Sequence, residues 1–87
     1  MTKINIYCLF DRYENFCGVY SSLKAIHRDA LKLCNKGTKP VYIRENSELK
    51  KPCVTSLRNI FKGRTNVYVE YVSDGGSIKI LKTNLVE

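Results

Sequence analysis

The side chains of this 87-residue sequence that could do chemistry are one histidine, four cysteines, and 15 lysines and arginines set against 8 aspartates and glutamates. The cations carry the clearest pattern. Lys24, Arg28, Lys32 and Lys36 recur at four-residue intervals, and each such step turns a helix by only about 40°, so all four project from one stripe. Leu23, Ile26, Ala30, Leu33 and Cys34 cluster opposite, at the spacing of a core-facing helix. Like charges four apart repel one another by roughly a few tenths of a kcal/mol per pair, so the stripe opposes helix stability and implies a use outside the helix. The chemistry it offers is attraction for polyanions.

Acid–base, nucleophilic and metal chemistry find less support. His27 is the only histidine, and it lies about 40° from Leu23 on the helical wheel, at the edge of the apolar stripe, where a partly buried structural imidazole is the commoner arrangement. A metal-free ribonuclease could in principle pair His27 with Lys or Glu. No convincing constellation of acid, base, nucleophile or ligand accompanies it, so the chain reads as non-enzymatic, with no catalytic residues. Cys8, Cys17, Cys34 and Cys53 are spaced by 9, 17 and 19 with no Cys-x-x-Cys pair, so the close ligand pairs of a structural zinc site are missing. Neither metal nor cofactor is expected. Cysteines at such positions read as structural filler, kept reduced in a cytosol. Asp74-Gly75-Gly76-Ser77 lacks the lysine and the spacing of a phosphate loop and reads as a hairpin turn.

The excess charge is confined to the middle of the chain. Between Lys24 and Arg64, eleven cations (Lys24, Arg28, Lys32, Lys36, Lys39, Arg44, Lys50, Lys51, Arg58, Lys62 and Arg64) face only Asp29, Glu45 and Glu48, a net +8 in a chain of +7. A pI near 9.4 with charge in one segment fits a nucleic-acid binder or a protein that docks on an acidic partner. A solvated lysine-rich face kept for solubility is the plainer alternative.

The elements that must position these residues follow from periodicity. Ile4, Ile6, Cys8 and Phe10 alternate with Asn5, Tyr7 and Leu9 as a strand with one buried face, here assigned to the first set. A polar turn over residues 11–15 leads into a returning strand over 16–20. Ser21 or Ser22 caps the basic helix, and Gly37 ends it. A third strand spans 40–44, residues 45–51 carry no assignable pattern, and Val54, Leu57, Ile60 and Phe61 mark a shorter helix between Pro52 and Gly63, with Arg58 and Lys62 on its outer side. Val67, Val69 and Tyr71 begin a C-terminal hairpin turning at Asp74-Gly75-Gly76 into residues 78–82. The order β-β-α-β-α-β-β predicts a single basic α+β domain over 1–87: a mainly antiparallel sheet with two helices packed on one face.

Two helices would leave the other sheet face open. With the aliphatic residues turned toward the helices, Tyr7, Tyr42 and Tyr68 point onto that face, where aromatics stack bases, pack a second copy of the chain in a homodimer, or simply suit a half-wet sheet. Lysines engage phosphate as point charges, whereas base reading favours the arginine fork, so RNA bound by its backbone with weak specificity is the favoured partner. The tyrosine face and the lack of a helix-turn-helix pattern prefer RNA to duplex DNA. The alternative is a small basic inhibitor or adaptor that docks on an acidic host protein without nucleic acid. No apolar run reaches the roughly 20 residues that span a bilayer and no export signal is legible, which predicts a cytoplasmic protein with no membrane partner.

The stretch Gly18-Val19-Tyr20-Ser21-Ser22-Leu23-Lys24-Ala25-Ile26-His27, a strand running into a helix, resembles the opening of small early proteins of T-even-type bacteriophages. Over residues 16–64, with short length and basic charge, the chain is similar to the antitoxin-like factors of those phages that counter a host ToxIN toxin–antitoxin system. That resemblance implies counter-defence in the host cytoplasm. Such a protein binds RNA nonspecifically, holds the ribonuclease toxin on it and blocks cleavage with no chemistry of its own.

Overall fold

The computed structural model describes residues 3–34, 40–45, 47–73 and 76–86, which run β1 (Lys3–Phe10), β2 (Phe16–Tyr20), α1 (Leu23–Cys34), β3 (Tyr42–Glu45), β4 (Glu48–Lys50), α2 (Val54–Phe61), β5 (Val67–Ser73) and β6 (Gly76–Val86). The expected order is present, with a short edge strand, β4, added in the stretch that carried no pattern. All pairings are antiparallel, and one six-stranded sheet results, ordered β2-β1-β6-β5-β3-β4. The architecture is α+β.

Local chemistry sets the turns. The Asp11 carboxylate accepts from the amides of Tyr13 (2.8 Å) and Asn15 (2.9 Å), closing the β1–β2 hairpin, while Glu14 takes the left-handed φ of 65°. Ser22 caps α1 by accepting from the Ala25 amide at 3.3 Å. Cys53 caps α2 through its sulfur, 3.4 Å from the Ser56 amide. That helix ends in a type II turn, with Lys62 at φ −59°, ψ 123°, Gly63 at φ 70°, and the Arg64 amide donating to the Phe61 carbonyl at 3.0 Å. Ser73 pairs with Gly76 across the last hairpin. Asp74 and Gly75 of the expected turn, and Gly37 at the expected helix stop, lie outside the described residues.

Both helices pack on one sheet face. Ile26, Ala30 and Cys34 of α1 and Leu57, Ile60 and Phe61 of α2 meet Leu9, Ile43, Val69, Tyr71, Ile78 and Ile80 from the strands. Full burial of an aliphatic side chain such as Ile26 contributes about 1.5–3 kcal/mol. Leu33, placed on the apolar stripe by spacing, is exposed, and Leu31 packs against the core in its stead.

Strand β1 has the phase opposite to that expected. Tyr7 and Leu9 turn toward the helices and are buried, whereas Ile4, Ile6, Cys8 and Phe10 are half-buried on the other face. Both alternating sets are apolar, and the larger ring wins the inward position: Tyr7 packs on Phe61 with ring centroids 5.9 Å apart, filling the space beneath the end of α2. Lys82 lies on the same inner face, buried, with its ammonium donating to the Phe61 carbonyl at 2.8 Å. A cation at a helix C-terminus satisfies carbonyls that the helix leaves without partners.

Candidate nucleic-acid interface

Lys24, Arg28 and Lys32 stand exposed along α1, on the side away from its packed stripe. A groove of about 710 Å³ runs beside them, bordered by Lys24, Arg28 and Lys32, with His27 in its wall and Leu31 and Val54 along its floor. Val54 opens α2, and Arg58 and Lys62 follow it at four-residue steps, both exposed, the second at the C-cap. The two helices therefore expose five cations, three of which border the groove. Among the described residues Lys24, Lys32, Arg58 and Lys62 have no ion-pair partner, and Arg28 meets only the neighbouring Asp29, Nε to Oδ1 at 3.3 Å. The Tyr20 hydroxyl donates to the other Asp29 oxygen at 2.6 Å, which with Arg28 holds that carboxyl below its usual range.

His27 belongs to the groove wall and to the core at once. Its Nδ1 lies 2.6 Å from the Tyr71 hydroxyl, and burial pushes its pKa down. Burial likewise pushes the Tyr71 phenol up, so a protonated hydroxyl meets a neutral imidazole, and the tautomer of the ring sets which of the two donates. His27 is half-buried, in keeping with its place at the edge of the apolar stripe on the helical wheel.

The remaining basic residues lie elsewhere. Arg44 projects onto the opposite sheet face and pairs with Glu70 at 2.7 Å. Lys50 and Arg64 converge on Glu45, at 2.9 and 3.2 Å, and the Lys50 hydrogen bond holds that carboxyl below its usual range. Lys51 is exposed in the connection before α2. Lys36 and Lys39 lie outside the described residues. Long-range pairing of Arg44 and Arg64 with carboxylates was not readable from spacing, because Glu70 is 26 residues from Arg44 and Glu45 is 19 from Arg64, and the Lys50–Glu45 pair lies across the β3–β4 hairpin, in a stretch with no assignable pattern.

The tyrosine set divides as well. Tyr7 is buried at 8 % relative exposure against Phe61, so it neither stacks a base nor joins a surface, a correction that follows from the phase of β1. Tyr42 and Tyr68 are exposed on the open sheet face, at 42 % and 58 %. They have company that sequence reasoning missed: Phe16, Val19 and Leu49 are exposed on the same face, and Phe10 packs edge-on to Phe16 at 5.8 Å. Period two puts Phe16 and Val19, three residues apart, on opposite faces, and the register shift in the β1–β2 pairing brings them to one. The Lys79 ammonium lies 5.3 Å from the Tyr68 ring centroid and 2.7 Å from Glu14. The free cations and the exposed tyrosines thus occupy opposite faces of one sheet, and a short segment of nucleic acid lying on the former does not meet the latter.

All four cysteines are free thiols. Cys34 is buried filler, its pKa pushed up by burial, whereas Cys53 serves as a helix cap and hydrogen bonds from Ser56 hold its pKa down. Among the described residues no three His, Cys, Asp or Glu side chains gather as a metal ion needs, and no helix is long and apolar enough to cross a membrane. Compared with models of protein families, with curated proteins and with solved structures, the chain matches none.

Proposed function

We propose that this chain is a non-enzymatic RNA-binding protein that holds the phosphate backbone, with low sequence specificity, on the outer surface of its helical layer. The five exposed cations of the two helices carry this reading, three of them bordering the groove and four of them without an ion pair among the described residues. Three of the five are lysines, which attract phosphate without reading base edges. Two strands separate α1 from α2 in the chain, so the pair is not a helix-turn-helix that would enter a duplex groove. The apolar floor formed by Leu31 and Val54 suits unpaired bases better than a duplex edge. With the resemblance of residues 18–27 to T-even-type early proteins, we place this activity in counter-defence in the host cytoplasm, where the protein keeps a host ribonuclease toxin on RNA without cleavage.

Titration of a labelled single-stranded RNA by fluorescence anisotropy tests the proposal. Five phosphate contacts at about −0.7 each give a log–log salt slope near −3.5, so affinity should fall about a hundredfold between about 50 and about 200 mM salt. Purified protein free of ultraviolet-absorbing nucleic acid, with no RNA affinity at low salt and a protein partner retained after nuclease, would transfer the cations to an acidic protein instead.

A further inference from the structure

We infer that the open face of the sheet is the interface of a homodimer, two copies packing sheet on sheet with their cationic helical layers pointing apart. Five of the seven large hydrophobic side chains exposed among the described residues lie on this face: Phe16, Val19, Tyr42, Leu49 and Tyr68. Large apolar side chains gathered in the open on one face mark an interaction site.

The strand register names the occupant. One row of side chains crosses all six strands in the order Phe16, Phe10, Lys79, Glu70, Arg44, Leu49. Its midpoint falls between β6 and β5, which is also the middle of the sheet. A two-fold axis parallel to the strands at that midpoint brings Lys79 of one copy over Glu70 of the other, Phe10 over the Arg44 guanidinium, and Phe16 over Leu49. Each pairing occurs twice, as an isologous contact requires. The next row, Val19, Cys8, Leu81, Tyr68, places Leu81 over Tyr68 under the same rotation. The face is thus complementary to itself in charge and in apolarity.

Net charge agrees. Lys79 and Arg44 are balanced on this face by Glu14 and Glu70, in a chain of +7. Here two copies approach without the repulsion that their helical layers exert. Six strands about 4.8 Å apart and three residue rows cover roughly 600 Å² per copy, or about 1,200 Å² in the pair, at the lower end for a specific interface and appropriate to a dimer that dissociates on dilution. The inference stands apart from RNA binding, because the five cations of that reading belong to the two helices and none lies on this face.

Sedimentation velocity of the full chain after nuclease treatment, from about 1 to about 200 µM, should show a monomer–dimer equilibrium. Tyr68→Glu should raise the dissociation constant at least about tenfold by removing the ring and placing a carboxylate opposite Leu81 in the apolar row. Glu70→Lys and Lys79→Glu each put like charges opposite and should be monomeric alone where the parent is dimeric, while their equimolar mixture recovers dimers. Circular dichroism confirms that each variant is folded, and recovery in the mixture itself requires folded partners. A chain that stays monomeric throughout overturns the inference, as does a dimer indifferent to Tyr68→Glu and both charge reversals. Association that appears only with RNA added assigns the face to bases and overturns it equally.

Discussion

The Tyr71 hydroxyl, in the middle of the sheet on β5, lies 2.6 Å from Nδ1 of His27, in the middle of the helix that carries the cationic stripe. One contact therefore joins the buried core to the wall of the groove. Tyr71 has no exposed surface and its ring centroid is 5.7 Å from that of His27, so the imidazole has little room to change partners.

The sign of its pH effect follows. Burial lowers the folded pKa of His27, while the unfolded chain titrates near the ordinary value of about 6.5. Below that value the unfolded state takes up a proton that the folded state resists, so the contribution to stability is complete above about pH 6.5 and declines as pH falls toward the folded pKa. Urea denaturation at about pH 7.5 and 5.5 should show lower stability at the acid value, and His27→Gln should flatten that difference. Equal midpoints for the parent at both values would contradict a neutral, buried His27.

Tyr71→Phe keeps the ring and removes the hydroxyl. It leaves Nδ1 of His27 without a partner in a part-buried setting, which should destabilise by about 1–3 kcal/mol in urea melts. A loss of only a tenth or two would mean that water replaces the phenol freely.

The cationic stripe makes the most direct prediction for binding. Lys24→Glu with Arg28→Glu and Lys32→Glu reverses three exposed charges on α1, and RNA affinity should fall at least about a hundredfold at moderate salt. Circular dichroism should be unchanged, because none of the three packs in the core and a glutamate in the first turn complements the helix dipole. Arg44→Gln, on the opposite face, should leave affinity within about twofold. Equal losses in the two variants would mean that the anion is not confined to the helical layer.

Periodicity marked α1 and α2 because one flank of each is polar, although in α1 it placed Leu33 inward where Leu31 packs instead. In β1 it did not suffice. Ile6, Cys8 and Phe10 are as apolar as Tyr7 and Leu9, so alternation marks the strand but not its phase, and packing of Tyr7 against Phe61 decides. β4 was illegible because Glu48, Leu49 and Lys50 pair only along one edge of β3 and bury little. The groove cations were legible as a helical stripe, whereas the charges of Arg44, Lys50 and Arg64 are matched by tertiary contacts that spacing does not encode.

Cys53 occupies a capping position where oxygen serves better than sulfur, since its thiol reaches the Ser56 amide only at 3.4 Å. Cys53→Ser should retain the extended cap conformation and raise stability by about 0.5–1 kcal/mol, seen as a higher midpoint in thermal melts. A lower midpoint would show that packing of the sulfur outweighs the cap.

Lys82 separates two ways in which a buried lysine can stabilise. Its ammonium donates to the Phe61 carbonyl, but that oxygen also accepts from the Arg64 amide at 3.0 Å, so loss of the ammonium does not leave it bare. Lys82→Met keeps the stem beneath α2 and relieves the desolvation of a buried charge, and it should cost less than about 1 kcal/mol. Lys82→Ala also removes the stem, which leaves a void beneath the end of α2, and should cost about 2 kcal/mol or more. Equal and large losses in the two variants would place the stabilisation in the charged hydrogen bond. A large loss in alanine alone assigns it to packing, and urea melts at neutral pH distinguish the two.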